Sequence, residues 1–323
     1  MDFATKLRKI DPCSGILNFL PSSKDFDDDE NSAPQSENNI SHLYVLSRAK
    51  MYVKANLDKL SENNLLHCAE EFLKTLIFSD NDRVSIEKAT VGQHKNKTWH
   101  NMRHLLVTGK KIKSLYSRQK TLEKNPLTDV SLTVKNLIEQ EEFQESQVYP
   151  AAIEHGIKEE DGAKLYHSKV NEKQHRSFEF EEPGLIIRRH YSWIGASLDG
   201  IRKCQCCDPT AVEIKCPFKG KDLDPKVAFL LPSVGGKKDK DGKYFLDENH
   251  LHYFQVQTCM GVSGFKTCDF VTYTSKGIFV VKIEFNAKFW ETVVATVYKF
   301  YCKQIVPSFL LEAFHSINTH TKQ

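Results

Sequence analysis

The chain has 323 residues, a formal net charge of only +3, 40% hydrophobic and 27% charged residues. That is an ordinary globular composition, long enough for one large domain or two smaller ones, and the total charge does not announce a polyanion partner. Nine cysteines without framework spacing exclude a secreted disulfide scaffold, no apolar run reaches a membrane span, and the N-terminal MDFATKLRKIDPCSG has no apolar signal region, so an intracellular protein of a reducing compartment, nucleus or cytoplasm, with no membrane contact, is expected.

Residues 1–40 read as a disordered acidic tail: Ser22 to Asn39 is rich in Ser, Asp, Asn and Glu and cannot bury enough apolar surface to order itself. Residues 41–82 read as a helical N-terminal extension, with helices over Leu43 to Leu60 and Asn64 to Phe78, where Leu65, Ala69, Phe72, Leu73 and Leu76 recur at helical spacing. Arg83 to Thr90 reads as a short strand. A helix then begins at Thr98 as N-cap, with Trp99, Met102 and Leu106 as its apolar stripe and Arg103 one turn after Trp99. The basic stretch that follows, from Lys110 to Lys124, has two readings, a solvated face or a phosphate-contacting edge.

Helices are predicted over Leu132 to Phe143 and Tyr149 to Tyr166. In the second, Gly156, Glu160 and Ala163 share a face, and the two small residues suit a close approach to a sheet that would bring Glu160 against it. Phe178–Phe180, Leu185–His190 and Trp193–Asp199 read as a meander whose third strand ends at Asp199-Gly200. A hairpin through Cys204 and Cys207 leads into the strand from Ala211 to Cys216. Alternation along that strand puts Glu213 and Lys215 on one face and Val212, Ile214 and Cys216 on the other. An antiparallel pairing of the two strands would bring Asp199 beside Glu213. Two carboxylates and a lysine so placed suit a hard divalent cation with a group that orients or deprotonates water; a common surface charge pair is the plain alternative for Glu213 and Lys215 alone.

A hairpin at Asp239 to Gly242, a helix over Asn249 to Val262, strands over Thr267 to Thr274 and Gly277 to Phe285, and a closing helix from Ala287 to Val306 ended by Pro307 complete the pattern, with a tail over residues 316–323. Helices alternating with strands over residues 83–315 indicate an α/β domain with a central sheet. Cys204, Cys206, Cys207 and Cys216 raise the question of zinc. Structural zinc sites draw pairs of ligands from two separated elements, whereas here three thiols crowd one hairpin, so reduced, partly buried thiols are expected and zinc is the alternative. His250 and His252 are read as packing or capping residues.

Five blocks then stand in a recognisable order: Trp99-x-x-x-Arg103-x-x-x-x-Thr108-Gly109; Gly156-x-x-x-Glu160-x-x-Ala163; Ser197-Leu198-Asp199-Gly200; Val212-Glu213-Ile214-Lys215-Cys216-Pro217-Phe218; and Tyr253-Phe254-Gln255-Val256-Gln257. Together they resemble the lambda-type exonuclease, or YqaJ viral recombinase, family of the PD-(D/E)XK nuclease superfamily. The resemblance implies a restriction-endonuclease-like core, a central mixed sheet flanked by helices. It implies Asp199, Glu213 and the Ile214 carbonyl as ligands of Mg2+ or Mn2+. Lys215 would position or activate water, Glu160 would add an acid and Gln255 would complete the site. Arg103 would grip a DNA phosphate. Lys110 stands where the family usually has a serine, a departure that bears on end specificity.

The implied activity is an Mg2+-dependent exonuclease on double-stranded DNA ends in recombination or repair. An endonuclease or junction-cleaving enzyme on the same core, and a catalytically silent DNA-binding module, are the alternatives. Ring-like homo-oligomers and a recombinase partner belong to the same set of implications.

Overall fold

The computed structural model describes residues 40–61, 64–138, 149–188 and 191–320. The acidic tail and the far end of the helix expected beyond Ile138 lie outside the described residues. A 3-10 turn at Ile40–Leu43 leads into α1 (Val45–Ala55), followed by α2 (Leu65–Thr75) and α3 (Asp80–Ala89). The segment expected as a strand is therefore helical. The local alternation of Arg83 to Ile86 is outweighed by a full capping box, in which Ser79 accepts from Asp82 N at 3.1 Å and the Asp82 carboxylate accepts from Ser79 N at 2.8 Å.

Next come α4 (Lys97–Arg103), β1 (Val107–Thr108), α5 (Gly109–Lys124), α6 (Ser131–Ile138) and α7 (Ala151–Glu172). The cap of α4 is Asn96, which accepts from Thr98 N at 2.8 Å, and Thr98 lies inside the first turn. The strands β2 (Glu179–Glu181), β3 (Leu185–Ile187), β4 (Ile194–Ser197), β5 (Gly200–Cys204) and β6 (Cys207–Lys215) follow. They do not form one meander: β3 pairs with β4 in a three-stranded sheet β1-β4-β3, and β2 pairs with β5 in another. Asp199 lies in the joint between β4 and β5, and Gly200 opens a strand rather than ending one.

The remainder is α8 (Pro225–Phe229), the hairpin β7 (Gly236–Lys238) and β8 (Tyr244–Leu246), α9 (Leu251–Ser263), β9 (Thr267–Thr274), β10 (Gly277–Glu284), α10 (Ala287–Phe300) and α11 (Val306–His320). The central sheet runs β10-β9-β6-β5-β2. It is mixed: β6 and β9 are parallel, the other pairs antiparallel. A parallel pair needs a long crossover, and the segment holding α8, the small hairpin and α9 supplies it. The fold is thus the expected α/β one, a mixed sheet flanked by helices with a helical N-terminal region.

The N-terminal helices pack on the C-terminal ones. Cys68, Ala69, Phe72 and Leu73 line the buried stripe of α2, and the Phe72 ring meets Phe309 of α11 edge-on at 5.7 Å. Burying a side chain such as Phe72 stabilises by about 1.5–3 kcal/mol. Pro307 does not end the last helix. A π-helical turn at Tyr301–Ile305 precedes it and absorbs the missing N–H donor, and α11 continues to His320, past the point where a tail was expected. Within that turn Tyr301 stacks on Trp193 at 5.3 Å and donates to the Leu105 carbonyl at 2.7 Å, fixing a leucine with φ of 67° just before β1.

Gly156 faces open space, where an added Cβ would meet nothing within 4 Å, so it serves no close helix–sheet approach. Ala163 does pack, against Val212, Ile214 and Val271. Gly184 is the position where a close approach is real: a Cβ there would lie 1.9 Å from the Glu87 carbonyl oxygen at the end of α3. The same junction is tied by Leu185 N donating to Thr90 Oγ1 at 2.7 Å. Gly184→Ala is expected to lower unfolding free energy by about 3 kcal/mol, since the obstacle is backbone, while Gly156→Ala should raise it by about 0.5–1 kcal/mol. Urea unfolding of both variants checks the contrast; a Gly184→Ala protein as stable as wild type would remove the junction from the account.

Candidate active site

The β5–β6 pairing sets the site. Gly200 is opposite Val212, so the register carries Asp199 to the level of Glu213. Asp199 Oδ2 accepts from Ile214 N at 2.7 Å, which fixes its carboxylate on β6. Asp199, Glu213 and Lys215 all line one cleft of about 660 Å³, together with Glu160, Gln255, Arg103 and Lys110. The two carboxylates therefore open to the same side of the sheet.

Glu213 is buried to 1% exposure. Its Oε1 pairs with Lys215 Nζ and accepts from Gln255 Nε2 at 2.5 Å. Its Oε2 is buried with no partner. Asp199 is half-buried in the same cleft, and burial, then the Glu213 charge, push its carboxyl up to about 8. Lys215 runs the other way: burial works to lower its pKa, but Glu213 and Asp199 overcome it and hold the ammonium above its ordinary value.

Two carboxyls that repel each other, Glu213 buried and Asp199 half-buried, with one oxygen unpartnered, fit a hard divalent cation, and oxygen donors of this kind select Mg2+ or Mn2+ over softer ions. Asp199 and Glu213 would hold it, and the Ile214 peptide directly follows Glu213 in the chain. Glu160 stands on the cleft wall formed by α7, paired with Lys164 at 2.8 Å, and Lys164 also binds Glu182 at 2.7 Å. Lys164 was not anticipated. Its position one turn after Glu160 on the same helix face was the available signal.

The two glutamines of α9 divide their roles. Gln255 reaches the cleft, while Gln257 donates to the Glu284 carbonyl at 2.9 Å and accepts from Asn286 N at 2.8 Å, joining β10 to α10. Residues two apart on a helix face different ways. His250 caps α9 by accepting from His252 N at 3.2 Å, as the sequence suggests. His252 also borders the cleft, and burial, then Lys215, push its pKa down to about 2, so the ring is neutral.

A cationic shelf faces the carboxylates. The Arg103 guanidinium lies 3.8 Å over the Trp99 ring, and the indole donates to Ser197 Oγ at 2.9 Å. Arg103 reaches Thr108 Oγ1 at 3.4 Å, and its Nε is buried without a partner. Burial lowers its pKa to about 10, and no carboxylate compensates it. Lys110 is open to solvent at the cleft wall, yet enclosed enough that desolvation, followed by Lys215 and Arg103, lowers its pKa. Both belong to or precede α5, whose N-cap Thr108 makes no side-chain capping bond, leaving first-turn N–H groups for another acceptor. Gly109 lets α5 start against α9: a Cβ there would lie 2.9 Å from Gln255 Cγ. The basic stretch resolves accordingly, with its beginning in the cleft and Lys111, Lys113 and Lys120 away from it.

Residues 98–266, just over half of the chain, match the model of the YqaJ-like viral recombinase domain. No curated protein matches. Among solved structures, the chain is similar to an alkaline exonuclease from Laribacter hongkongensis, with 21% identity over 69% of this chain and 97% of that one and a TM-score of 0.46. It is also similar to the shutoff and exonuclease protein of Kaposi's sarcoma-associated herpesvirus, with 11% identity over 82% and 85% of the two chains and a TM-score of 0.46. A phage-related exonuclease from Haemophilus somnus gives 15% identity over 64% and 97% and a TM-score of 0.39. The family match spans Arg103, Lys110, Glu160, Asp199, Glu213, Lys215 and Gln255, and by it the chain belongs to the YqaJ-like viral recombinase domain family.

Proposed function

We propose that the protein is a Mg2+-dependent nuclease that hydrolyses phosphodiester bonds from the ends of double-stranded DNA. The observation that carries the reading is the convergence of Asp199, Glu213, Lys215 and Gln255 in one cleft, with a buried Glu213 oxygen left without a partner. When bound, a divalent cation there would acidify water and offset charge on the reacting phosphate. The chain's own groups do the rest. Gln255 and Lys215 fix the Glu213 carboxylate, and the Ile214 amide fixes Asp199. Lys215, beside Glu213 and Asp199, would position or activate water and offset phosphate charge. Glu160, paired with Lys164, borders the cleft and would add a further acid.

Arg103, Lys110 and the open N-terminus of α5 form the phosphate grip. Arg103→Gln is expected to reduce digestion of 5′-phosphorylated duplex about 10- to 100-fold, the 1.5–3 kcal/mol of a charged hydrogen bond, with a smaller effect on 5′-hydroxyl ends. Arg103→Lys should not restore the preference, because lysine lacks both the fork and the stacking on Trp99. Equal losses on the two ends would take Arg103 out of end recognition.

Digestion of 5′-phosphorylated linear, 5′-hydroxyl linear, circular and single-stranded DNA, with and without Mg2+, tests the whole reading. Mg2+-dependent loss of linear duplex with circles intact supports an exonuclease. Cleaved circles support an endonuclease on the same core, and metal-independent binding without cleavage supports a silent module.

A further inference from the structure

At the end of the β5–β6 hairpin remote from the cleft, Cys204, Cys206 and Cys207 turn toward His175, which lies just beyond the end of α7. His175 Nδ1 is 3.4 Å from Cys206 Sγ, 3.5 Å from Cys204 Sγ and 3.5 Å from Cys207 Sγ. Cys206 Sγ is 3.6 Å from Cys204 Sγ and 3.9 Å from Cys207 Sγ. All four donor atoms lie within 4.8 Å of one another. The cysteines are free thiols, half-exposed at Cys204 and exposed at Cys206 and Cys207, not the partly buried set the sequence suggests.

Hydrogen bonding does not account for this packing. One imidazole nitrogen carries one proton or one lone pair, yet three sulfurs crowd it. A tetrahedral zinc ion does account for it: with Zn–S of about 2.3 Å and Zn–N of about 2.0 Å, the edges are roughly 3.8 Å between sulfurs and roughly 3.5 Å between sulfur and nitrogen. The observed separations match those edges. Cys204 and Cys207 also have the two-residue spacing of a zinc knuckle.

We propose that His175, Cys204, Cys206 and Cys207 form a Cys3His zinc site. Four protein ligands close the coordination sphere, so the ion is structural, and its binding displaces the three thiol protons. Six residue steps along β6 separate Cys207 from Glu213, roughly 20 Å of strand, so this is not the cleft's ion. It pins the hairpin that carries Glu213 to the helix that carries Glu160, beside a backbone bond in which Gln205 N donates to the Arg176 carbonyl at 3.0 Å. No buried apolar side chain lies among residues 203–209 to do that work.

The test is metal analysis of the full chain purified without chelator. Wild type and His175→Cys are expected to hold one zinc per chain, and the Cys204→Ser/Cys206→Ser double variant essentially none. Glu213→Gln should keep its zinc. Should the cysteine variant fail to fold, the wild type with cobalt in place of zinc is read alone, and thiolate-to-cobalt charge-transfer absorption is the expected result. Metal-free wild type whose exposed thiols all titrate at once with a disulfide reagent would overturn the proposal. So would zinc lost in Glu213→Gln but kept in the cysteine variant, which would place the ion in the cleft and leave the nuclease reading standing.

Discussion

Glu213→Gln is expected to cut Mg2+-dependent digestion of linear duplex by roughly 10³-fold or more, about 4 kcal/mol of transition-state stabilisation, while the protein stays folded. The two halves of that expectation come from different features of the same side chain. The amide keeps an oxygen to accept from Gln255, so the contact that holds α9 to β6 survives. It removes the Glu213 charge that adds to burial in pushing the Asp199 carboxyl up, which relieves a repulsion at the expense of the Lys215 pair. These opposing changes leave global stability within about 1 kcal/mol of wild type.

What the amide cannot do is supply the second anionic oxygen, and the unpartnered Glu213 Oε2 is the atom most directly available to a cation. Added Mg2+ should therefore raise the melting temperature of wild type and not of Glu213→Gln, because only a species that binds the ion is stabilised by it. Digestion by Glu213→Gln at the wild-type rate, or an equal Mg2+ shift in both proteins, would sink the assignment.

That Glu213 could be singled out from sequence follows from the period of two along β6, which puts it and Lys215 on one face whatever surrounds them. Asp199 was legible for a related reason, since a short hairpin fixes antiparallel register. Gln255 and Arg103 were legible only through the order of the family's blocks. The misreadings have physical causes as well. Arg83 to Ile86 alternates like a strand, but the capping box at Ser79 acts over the turn before it. Pro307 reads as a stop because the compensating π turn is a backbone feature without a residue pattern. His175 lies 29 residues before Cys204, outside any spacing rule for zinc ligands, and only the docking of α7 against the hairpin brings it near.

The same limit hid Arg202, whose loss should be the most destabilising single change on the central sheet. Arg202→Met is expected to cost about 3–5 kcal/mol, the range for breaking a buried ion pair by removing one partner. Arg202 and Asp269 are 4% and 6% exposed. Arg202 Nε donates to Asp269 Oδ2 at 2.7 Å and its Nη2 to Thr210 Oγ1 at 3.0 Å. Arg202 lies opposite Thr210, and Asp269 opposite Val212, so the guanidinium stretches from β5 across β6 to β9. It braces the strand that carries Glu213 from both sides.

His167 Nε2 lies 3.6 Å from Asp269 Oδ2, beyond hydrogen-bond distance, and is the more distant of the two partners of the carboxylate. The sign with pH follows from the carboxylate. Burial pushes Asp269 up, but His167 and Arg202 outweigh it and hold the carboxyl below its ordinary value, so in wild type its contribution is present above the unfolded pKa near 4 and lost as pH falls through the folded one. Without Arg202 the buried carboxyl loses a partner that opposes burial, and its pKa moves up. The deficit is then full at neutral pH and shrinks as acid protonates the group. Urea unfolding at several pH values should show the gap between wild type and Arg202→Met narrowing toward low pH, and Asp269→Asn combined with Arg202→Met should cost less than the two changes summed. A gap independent of pH would mean that lost packing by the guanidinium, not the charge stranded on Asp269, sets the cost.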